Sequence, residues 1–301
     1  MSLLVTGSVG IDSVQTPDGS ADEVLGGSAI YFAAAASLVT DRVRLVAVVG
    51  GDFPDPMRAT FDHFAVDLAG LERRAGSKTF RWTGKYLQDM NSRETVSVEL
   101  NVLGEDLPPV PEAYRDSRFV FLANTHPAGQ AALLDRIDAP ELVVADTMDL
   151  WIEHERPALE SLLRRLDGLV LNDSEALLLT GERNPVVAGR AVLAMGPRFV
   201  VIKKGEHGAL LVHPDGLVNL PAFPCGEVVD PTGAGDSFGG GMMGHLAATG
   251  DLSLEGLKRA MAVGTVAASF TLESFSLDRW VGLSRDTLED RLSVYRSMLA
   301  V

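Results

Sequence analysis

Asp230-Pro231-Thr232-Gly233-Ala234-Gly235-Asp236-Ser237-Phe238 is the stretch on which the reading of this chain turns. Four small residues, Thr232 to Gly235, lead straight into an apolar helix expected over Asp236–Thr249. Such a loop can aim several backbone N–H groups at one point, and the helix N-terminus behind it adds partial positive charge. The result is an anion hole. Asp236, in the first helical turn, sets a carboxylate beside it. Phosphoryl transfer needs both parts: donors for the charge on the moving group, and a carboxylate near the attacking hydroxyl. The bland alternative is a Gly-rich turn capped by an aspartate, since Asp caps helices well in any protein. A dinucleotide-binding turn fails on spacing and place. Gly233, Gly235 and Gly239 give G-x-G-x-x-x-G, late in the chain rather than after the first strand.

Working outward, the chain alternates strands and helices. Continuous apolar strands are expected at Leu3–Thr6, Val43–Val49, Phe119–Ala123, Leu142–Ala145, Gly168–Leu171, Phe199–Ile202 and Ala209–Val212. Runs of this kind suit a parallel sheet covered on both faces. With the helices between them they predict an α/β, doubly wound parallel sheet, with ligands outside the carboxyl ends of its strands. Thr16–Glu23 reads as turns. Lys78–Val102 differs from the rest: Phe80, Trp82, Thr83 and Tyr86 precede the turn-like Asp89-Met90-Asn91-Ser92, and Glu94–Leu100 alternates. That reads as a β-hairpin with one wet face, a candidate lid.

The glycine-loop string closely resembles the C-terminal signature of the ribokinase-like (PfkB) family of small-molecule kinases, and the resemblance runs in order along essentially the whole chain. It implies a ribokinase-like fold with a small β lid, formed here by about residues 12–25 and 78–102 of one domain over 1–301. It implies ATP and Mg²⁺ as cofactors and transfer of the γ-phosphoryl group to a hydroxyl of a small molecule. Asp236 is then the base, with the amides of Gly233, Ala234 and Gly235 on the γ-phosphoryl oxygens. Gly26-Gly27-Ser28-Ala29 looks like the family's paired-glycine element, where backbone approaches the substrate. Asp12 matches the aspartate that binds substrate hydroxyls in relatives, and a charged acceptor makes the stronger hydrogen bonds. Asn172-Asp173-Ser174-Glu175 is similar to the N-x-x-E element that organises Mg²⁺ through water. One glutamate plus an amide suits an ion that keeps several waters. The same four residues also read as a capping box. A monovalent cation such as K⁺ beside Asp230–Thr232 is common in the family.

The resemblance places a nucleotide-contacting loop at Lys203-Lys204-Gly205-Glu206-His207-Gly208, with Thr232 nearby. Adjacent strand residues point to opposite faces, so one of Lys203 and Lys204 faces the nucleotide. Val263 and Ala267, among the small residues of a helix over Leu257–Ser269, would let adenine lie against it. They would equally let two helices pack closely. Asn124 and His126 follow a strand end and are candidates for the pocket wall. Two departures touch the acceptor. Tyr31 stands where many relatives have asparagine, and Asp146-Thr147-Met148-Asp149 replaces Asp-Pro-Asn. Phe80, Trp82 and Tyr86 can line one face of the hairpin. That face suits a nucleobase, the C–H face of a ring polyol, the hairpin's own core or a dimer contact. A sugar or cyclitol is placed ahead of a nucleoside.

The bulk figures agree with a folded enzyme. The chain has 301 residues, 46% hydrophobic and 22% charged, enough for a sizeable core. Net charge is −15, from 26 basic and 41 acidic residues, which argues against nucleic acid or an anionic membrane as partner. Residues 1–10 lack a basic segment followed by a long apolar one, so no signal peptide is expected. The single cysteine, Cys225, excludes an intrachain disulfide and fits a reducing, cytoplasmic compartment. The partners expected are ATP and a small-molecule acceptor, with a homodimer through the lid compatible with the pattern. Two rivals are a non-catalytic sugar or nucleotide sensor on the same fold, and an oxidoreductase. The intact Asp236 and glycine loop count against the first. The missing N-terminal G-x-G-x-x-G counts against the second.

Overall fold

The computed structural model describes residues 1–300; Val301, the end of the expected single domain, lies outside them. The chain opens with β1 (Leu3–Thr6), β2 (Gly10–Thr16), β3 (Gly19–Gly26), helix α1 (Ser28–Ser37), β4 (Val43–Gly50), α2 (Asp55–Thr60), β5 (Val66–Arg74), β6 (Phe80–Tyr86) and β7 (Arg93–Glu99). It continues with β8 (Phe119–Leu122), α3 (Pro127–Leu134), β9 (Leu142–Asp146), α4 (Asp149–His154), α5 (Arg156–Leu163), β10 (Gly168–Asn172), α6 (Asp173–Thr180) and α7 (Pro185–Leu193). Then come β11 (Phe199–Lys203), β12 (Ala209–His213), β13 (Gly216–Leu220), α8 (Ala234–Thr249), α9 (Leu254–Thr271) and α10 (Arg285–Leu299).

Among the described residues the strands form two sheets. The larger has the order β13-β12-β11-β10-β9-β8-β1-β4-β5. From β11 to β5 every pairing is parallel, as the apolar runs predict. Successive residues of β1 feed opposite layers: Leu3 and Val5 pack with α1, α8 and α9, and Leu4 with α3, α5 and α7. The strand expected at Ala209–Val212 is antiparallel instead, as is β13. Only residues 204–208 separate β11 from β12, too few for the crossover that a parallel pair requires.

The smaller sheet has the order β3-β2-β6-β7. Its β6-β7 half is the expected hairpin. Its other half corrects an expectation. Of the stretch Thr16–Glu23, only Pro17-Asp18 turns, and Gly19–Gly26 is a strand paired with β2. The first six residues of β3 are exposed or half-buried, so a polar sequence serves as well as an apolar one. β2 and β6 join in parallel, with Gly10 opposite Phe80 and Asp12 opposite Trp82.

The helix that carries the glycine loop is set by a tight packing layer. Gly240 of α8 lies against the Phe32 carbonyl of α1, where a side chain would collide with backbone. Phe32 stacks in turn on Phe121 of β8, ring centres 4.4 Å apart. Gly240→Val is therefore expected to destabilise the protein by about 1–3 kcal/mol or more, the range for overpacking a close-packed layer. Denaturant unfolding of the variant checks it. An unchanged midpoint would mean that α8 can move away from α1 at no cost.

Candidate functional site

Three adjacent parallel strands end at the site. β9 ends in Asp146, β10 in Asn172 and β11 in Lys203, with Asn172 and Lys203 in register. The carboxyl ends of these strands face the N-terminus of α8. Gly233 caps that helix in the left-handed region, φ 79°, and packs against the Tyr31 ring of α1. A side chain there would meet both the backbone penalty and the ring. The Ala234 N–H is engaged with the Pro231 carbonyl at 3.1 Å. Among the described residues, the N–H groups of Gly233 and Gly235 meet no acceptor. Asp236 follows in the first turn, half-buried, with enough protein packed around its carboxyl to displace most of the water.

Lys203 lies beneath this loop. Its ammonium is 3.2 Å from an Asp146 carboxylate oxygen and 2.9 Å from the point where a Cβ on Gly235 would stand. Lys204 turns the other way and donates to Asn219 Oδ1 at 2.8 Å. Alternation allowed one of the two to face the site, and it is Lys203. Burial works against the Lys203 ammonium, but Asp146, Glu175 and Asp236 outweigh it and hold its pKa above the ordinary value. Burial, then the Asp146 charge, pushes the Asp236 carboxyl up to about 8 against the opposing pull of Lys203 and Arg93. Burial and Asp146 also raise Glu175.

Asn172 and Glu175 form a reciprocal capping box. Asn172 Oδ1 accepts from the Glu175 N–H and Glu175 Oε2 from the Asn172 N–H, each at 2.7 Å. Asn172 thus acts on the site by fixing Glu175. No cluster of three metal-ligating side chains occurs among the described residues. The carboxylates of Glu175 and Asp146, both close enough to act on Asp236 or Lys203, form a sparse donor set of the kind Mg²⁺ accepts when it keeps its waters. Asp230 is buried at the start of the glycine loop. One oxygen accepts from the Thr232 N–H at 2.8 Å; Oδ2 finds no donor among the described residues.

The wall across the cleft from Lys203 is built from β2, α1 and the small sheet. The Asp12 carboxylate rests against Gly26, where any side chain would displace it. Its Oδ1 is buried without a donor among the described residues. Burial raises its pKa to about 7, opposed by the Gly27 N–H and reinforced by Asp230. Strand register puts Phe80, Trp82 and Tyr86 on one face, with Asp12 beside Trp82. The Trp82 indole lies over Gly84 and donates to Thr95 Oγ1 at 3.3 Å, which leaves it a fixed plate on that face. Tyr31 is fully buried, and burial followed by the charges of Asp230 and Asp12 lifts its phenol well above the usual value.

Some expected residues sit elsewhere or do other work. Val263 and Ala267 are buried against Gly241 of α8, so the small residues there serve helix packing rather than an open surface. Gly205 and Gly208 bound the turn after β11, above the strand ends. The Asn124 amide is held by Trp151 Nε1 at 2.8 Å and lies 2.9 Å from Met148 Sδ. Trp151 and Arg93 stand by the cleft although no motif singled them out, whereas Tyr86 entered as a lid aromatic and Asp146 as a departure from the family pattern. Asp146 also closes a strand at the end where ligands bind. Tyr86 lies with its Oη 3.3 Å from Thr232 Oγ1 and stands opposite Arg93 across the hairpin.

Comparison with known proteins identifies the family and the fold. Residues 136–279 match the model of the pfkB family carbohydrate kinases. The cytidine kinase of Thermococcus kodakarensis is 32% identical over 250 residues, 81% of this chain and 87% of the relative. The structure of Methanocaldococcus jannaschii nucleoside kinase, a member of the ribokinase family, superposes with a TM-score of 0.79 at 19% identity, covering 98% of this chain and 99% of that one. An E. coli protein described as a putative ribokinase II, solved with ATP and Mg²⁺, gives 0.75 at 17% identity, covering 97% and 99%. The fold is the one these proteins share.

The raised Asp236 carboxyl has a consequence for stability. A carboxyl whose pKa rises on folding holds its proton more tightly in the folded chain. Stability therefore falls as pH climbs from the unfolded value of 3.8 towards about 8. Asp236→Asn removes that titration. Its thermal midpoint, relative to the wild type, is expected to rise steadily between about pH 5 and about pH 8.5. A difference that stays flat over that range would show that the Asp236 carboxyl is not raised.

Proposed function

Because the chain belongs to the pfkB family of carbohydrate kinases, it is a phosphotransferase with an alcohol acceptor, a sugar or a nucleoside, and we propose that the acceptor is a nucleoside. The observation that carries this reading is the Trp82 plate standing beside Asp12 on the inner face of the small sheet. A base can stack on the indole while the ribose hydroxyls donate to the buried Asp12 oxygen that otherwise lacks a partner. The similar cytidine and nucleoside kinases support the same choice. It reverses the order expected from sequence, where the loss of asparagine at Tyr31 counted for sugars and cyclitols. Tyr31 packs on Gly233, so its bulk shapes the glycine loop as well as the acceptor pocket.

The chemistry then proceeds in one transfer. Asp236 takes the proton of the attacking hydroxyl. The freed oxygen bonds to the γ-phosphorus as the bond to the β–γ bridging oxygen breaks, and ADP leaves with that electron pair. The N–H groups of Gly233 and Gly235 and the start of α8 hold the γ-phosphoryl oxygens, and Lys203 supports them from the strand side. Mg²⁺, when bound near Glu175 and Asp146, supplies neutralisation of charge on the phosphates. The unpartnered Asp230 oxygen supports a monovalent cation such as K⁺ at the loop. The small sheet, residues 10–26 and 80–99, acts as the lid of a single domain. Its unpaired β7 edge, with Val96 and Val98 exposed, supports a homodimer through the lid. Net charge of −15 speaks against nucleic acid, no described helix is long and apolar enough to cross a membrane, and we place the enzyme in the cytoplasm.

Asp236→Asn is expected to lower kcat by about 10²–10⁴-fold with ATP binding retained, the range for losing a general base. A variant that keeps more than about a tenth of wild-type kcat, well short of that range, would remove Asp236 from the role. For the acceptor, kinetics on cytidine, adenosine, ribose, fructose and myo-inositol decide. A stacked base adds roughly 1–3 kcal/mol. The best nucleoside should then exceed ribose in kcat/KM by roughly 5- to 150-fold. Ribose or a cyclitol ahead of both nucleosides would return the acceptor to the sugars.

A further inference from the structure

We propose that Arg93 is a catalytic residue that the lid sets over the transferring phosphoryl group. The proposal rests on the kinase reading above. It begins with strand register. Arg93 opens β7 directly opposite Tyr86, the last residue of β6, and residues paired in this way project from the same face of a sheet. Tyr86 shows where that face points, because its hydroxyl meets Thr232 at the head of the glycine loop.

A second contact fixes the far side. The turn beyond Tyr86 reaches across to the β11–β12 turn, where Asn91 Nδ2 lies 3.4 Å from Glu206 Oε2. Asn91 Oδ1 is 2.5 Å from the point where a Cβ on Gly205 would stand. Arg93 is two residues from Asn91 and opposite Tyr86. The hairpin is thus seated on the glycine loop and on the turn after β11, and Arg93 is carried on the stretch that bridges them. Its positive charge reaches the carboxyls of Asp236 and Glu175 and lowers the pKa of both against their burial.

Its lack of a carboxylate partner separates it from the other arginine of this sheet. Arg81 bonds Glu23 at 2.7 Å and Asp52 at 3.4 Å. Arg93 is exposed and makes no ion pair with any carboxylate among the described residues. Held beside the Tyr86 hydroxyl and paired with no carboxylate, this guanidinium matches the planar, bidentate demand of phosphoryl oxygens better than any neighbouring side chain. Lys203 approaches the phosphates from the sheet and Arg93 from the lid, so the second charge arrives only when the hairpin is seated.

The test uses Arg93→Ala, Arg93→Lys and Asp236→Asn in the full chain, with ATP and the acceptor that the wild type turns over best. Arg93→Ala is expected to lose about 10²–10³-fold in kcat, the cost of one transition-state donor, while KM for ATP and acceptor moves by less than about threefold. Arg93→Lys should fall between the two, and added guanidinium at low millimolar concentration should restore part of the kcat of Arg93→Ala and none of that of Asp236→Asn. A kcat within about threefold of wild type, a loss confined to KM, or a kcat loss that guanidinium leaves untouched overturns the role of Arg93. The controls separate the two levels of inference. Failure of the wild type to consume ATP with any acceptor overturns the kinase reading, and wild-type turnover that Arg93→Ala keeps overturns the Arg93 assignment alone.

Discussion

The ion pair between Lys203 and Asp146, at 3.2 Å, is the interaction around which the rest of the site is arranged. Asp12, Asp146, Glu175, Asp230 and Asp236 all gather near the carboxyl ends of the central strands, and most are buried. Left alone, such a group would repel itself and take up protons. One ammonium, held between strand ends, offsets the charge where it is densest. The strand order makes this possible: β10 lies between β9 and β11, so the pair spans a strand whose own end is Asn172. The capping box then keeps Glu175 from swinging onto the lysine.

That arrangement explains what could be read from the amino-acid string and what could not. The glycine loop and Asn172–Glu175 are local: their geometry is dictated within four to nine residues, so the string suffices. The large sheet was legible because each strand is buried on both faces and therefore apolar throughout. The strand Gly19–Gly26 escaped because a half-wet strand needs no apolar signature. Lys203 and Lys204 were equivalent until the pairing of β10 with β11 gave each a face. Arg93 was invisible for a deeper reason. An arginine on an exposed strand reads as solubility, and only long-range register shows what lies across from it. Val263 and Ala267 teach the converse, since small residues on a helix carry the same pattern whether they meet a flat ligand or another helix.

The two halves of the site also differ in how they are held. The half around the glycine loop sits on strand ends and a helix start that are locked by close packing, down to Gly240 against the Phe32 backbone. The half around Asp12 shares its walls with a sheet whose β7 strand is exposed throughout. Fewer contacts therefore hold the outer edge of the small sheet than hold the helix start opposite it.

The small sheet has one further property, which follows from its central pairing. β2 and β6 run side by side although more than fifty residues separate them, and the intervening chain supplies α1, β4 and β5 of the large sheet. Closing so long a loop costs entropy, which grows only slowly with length and is offset here by the buried face of β2, where Ile11 and Val14 join the core. The roof of the site is therefore tied to the body of the protein by a long-range pairing rather than hung on a single local turn.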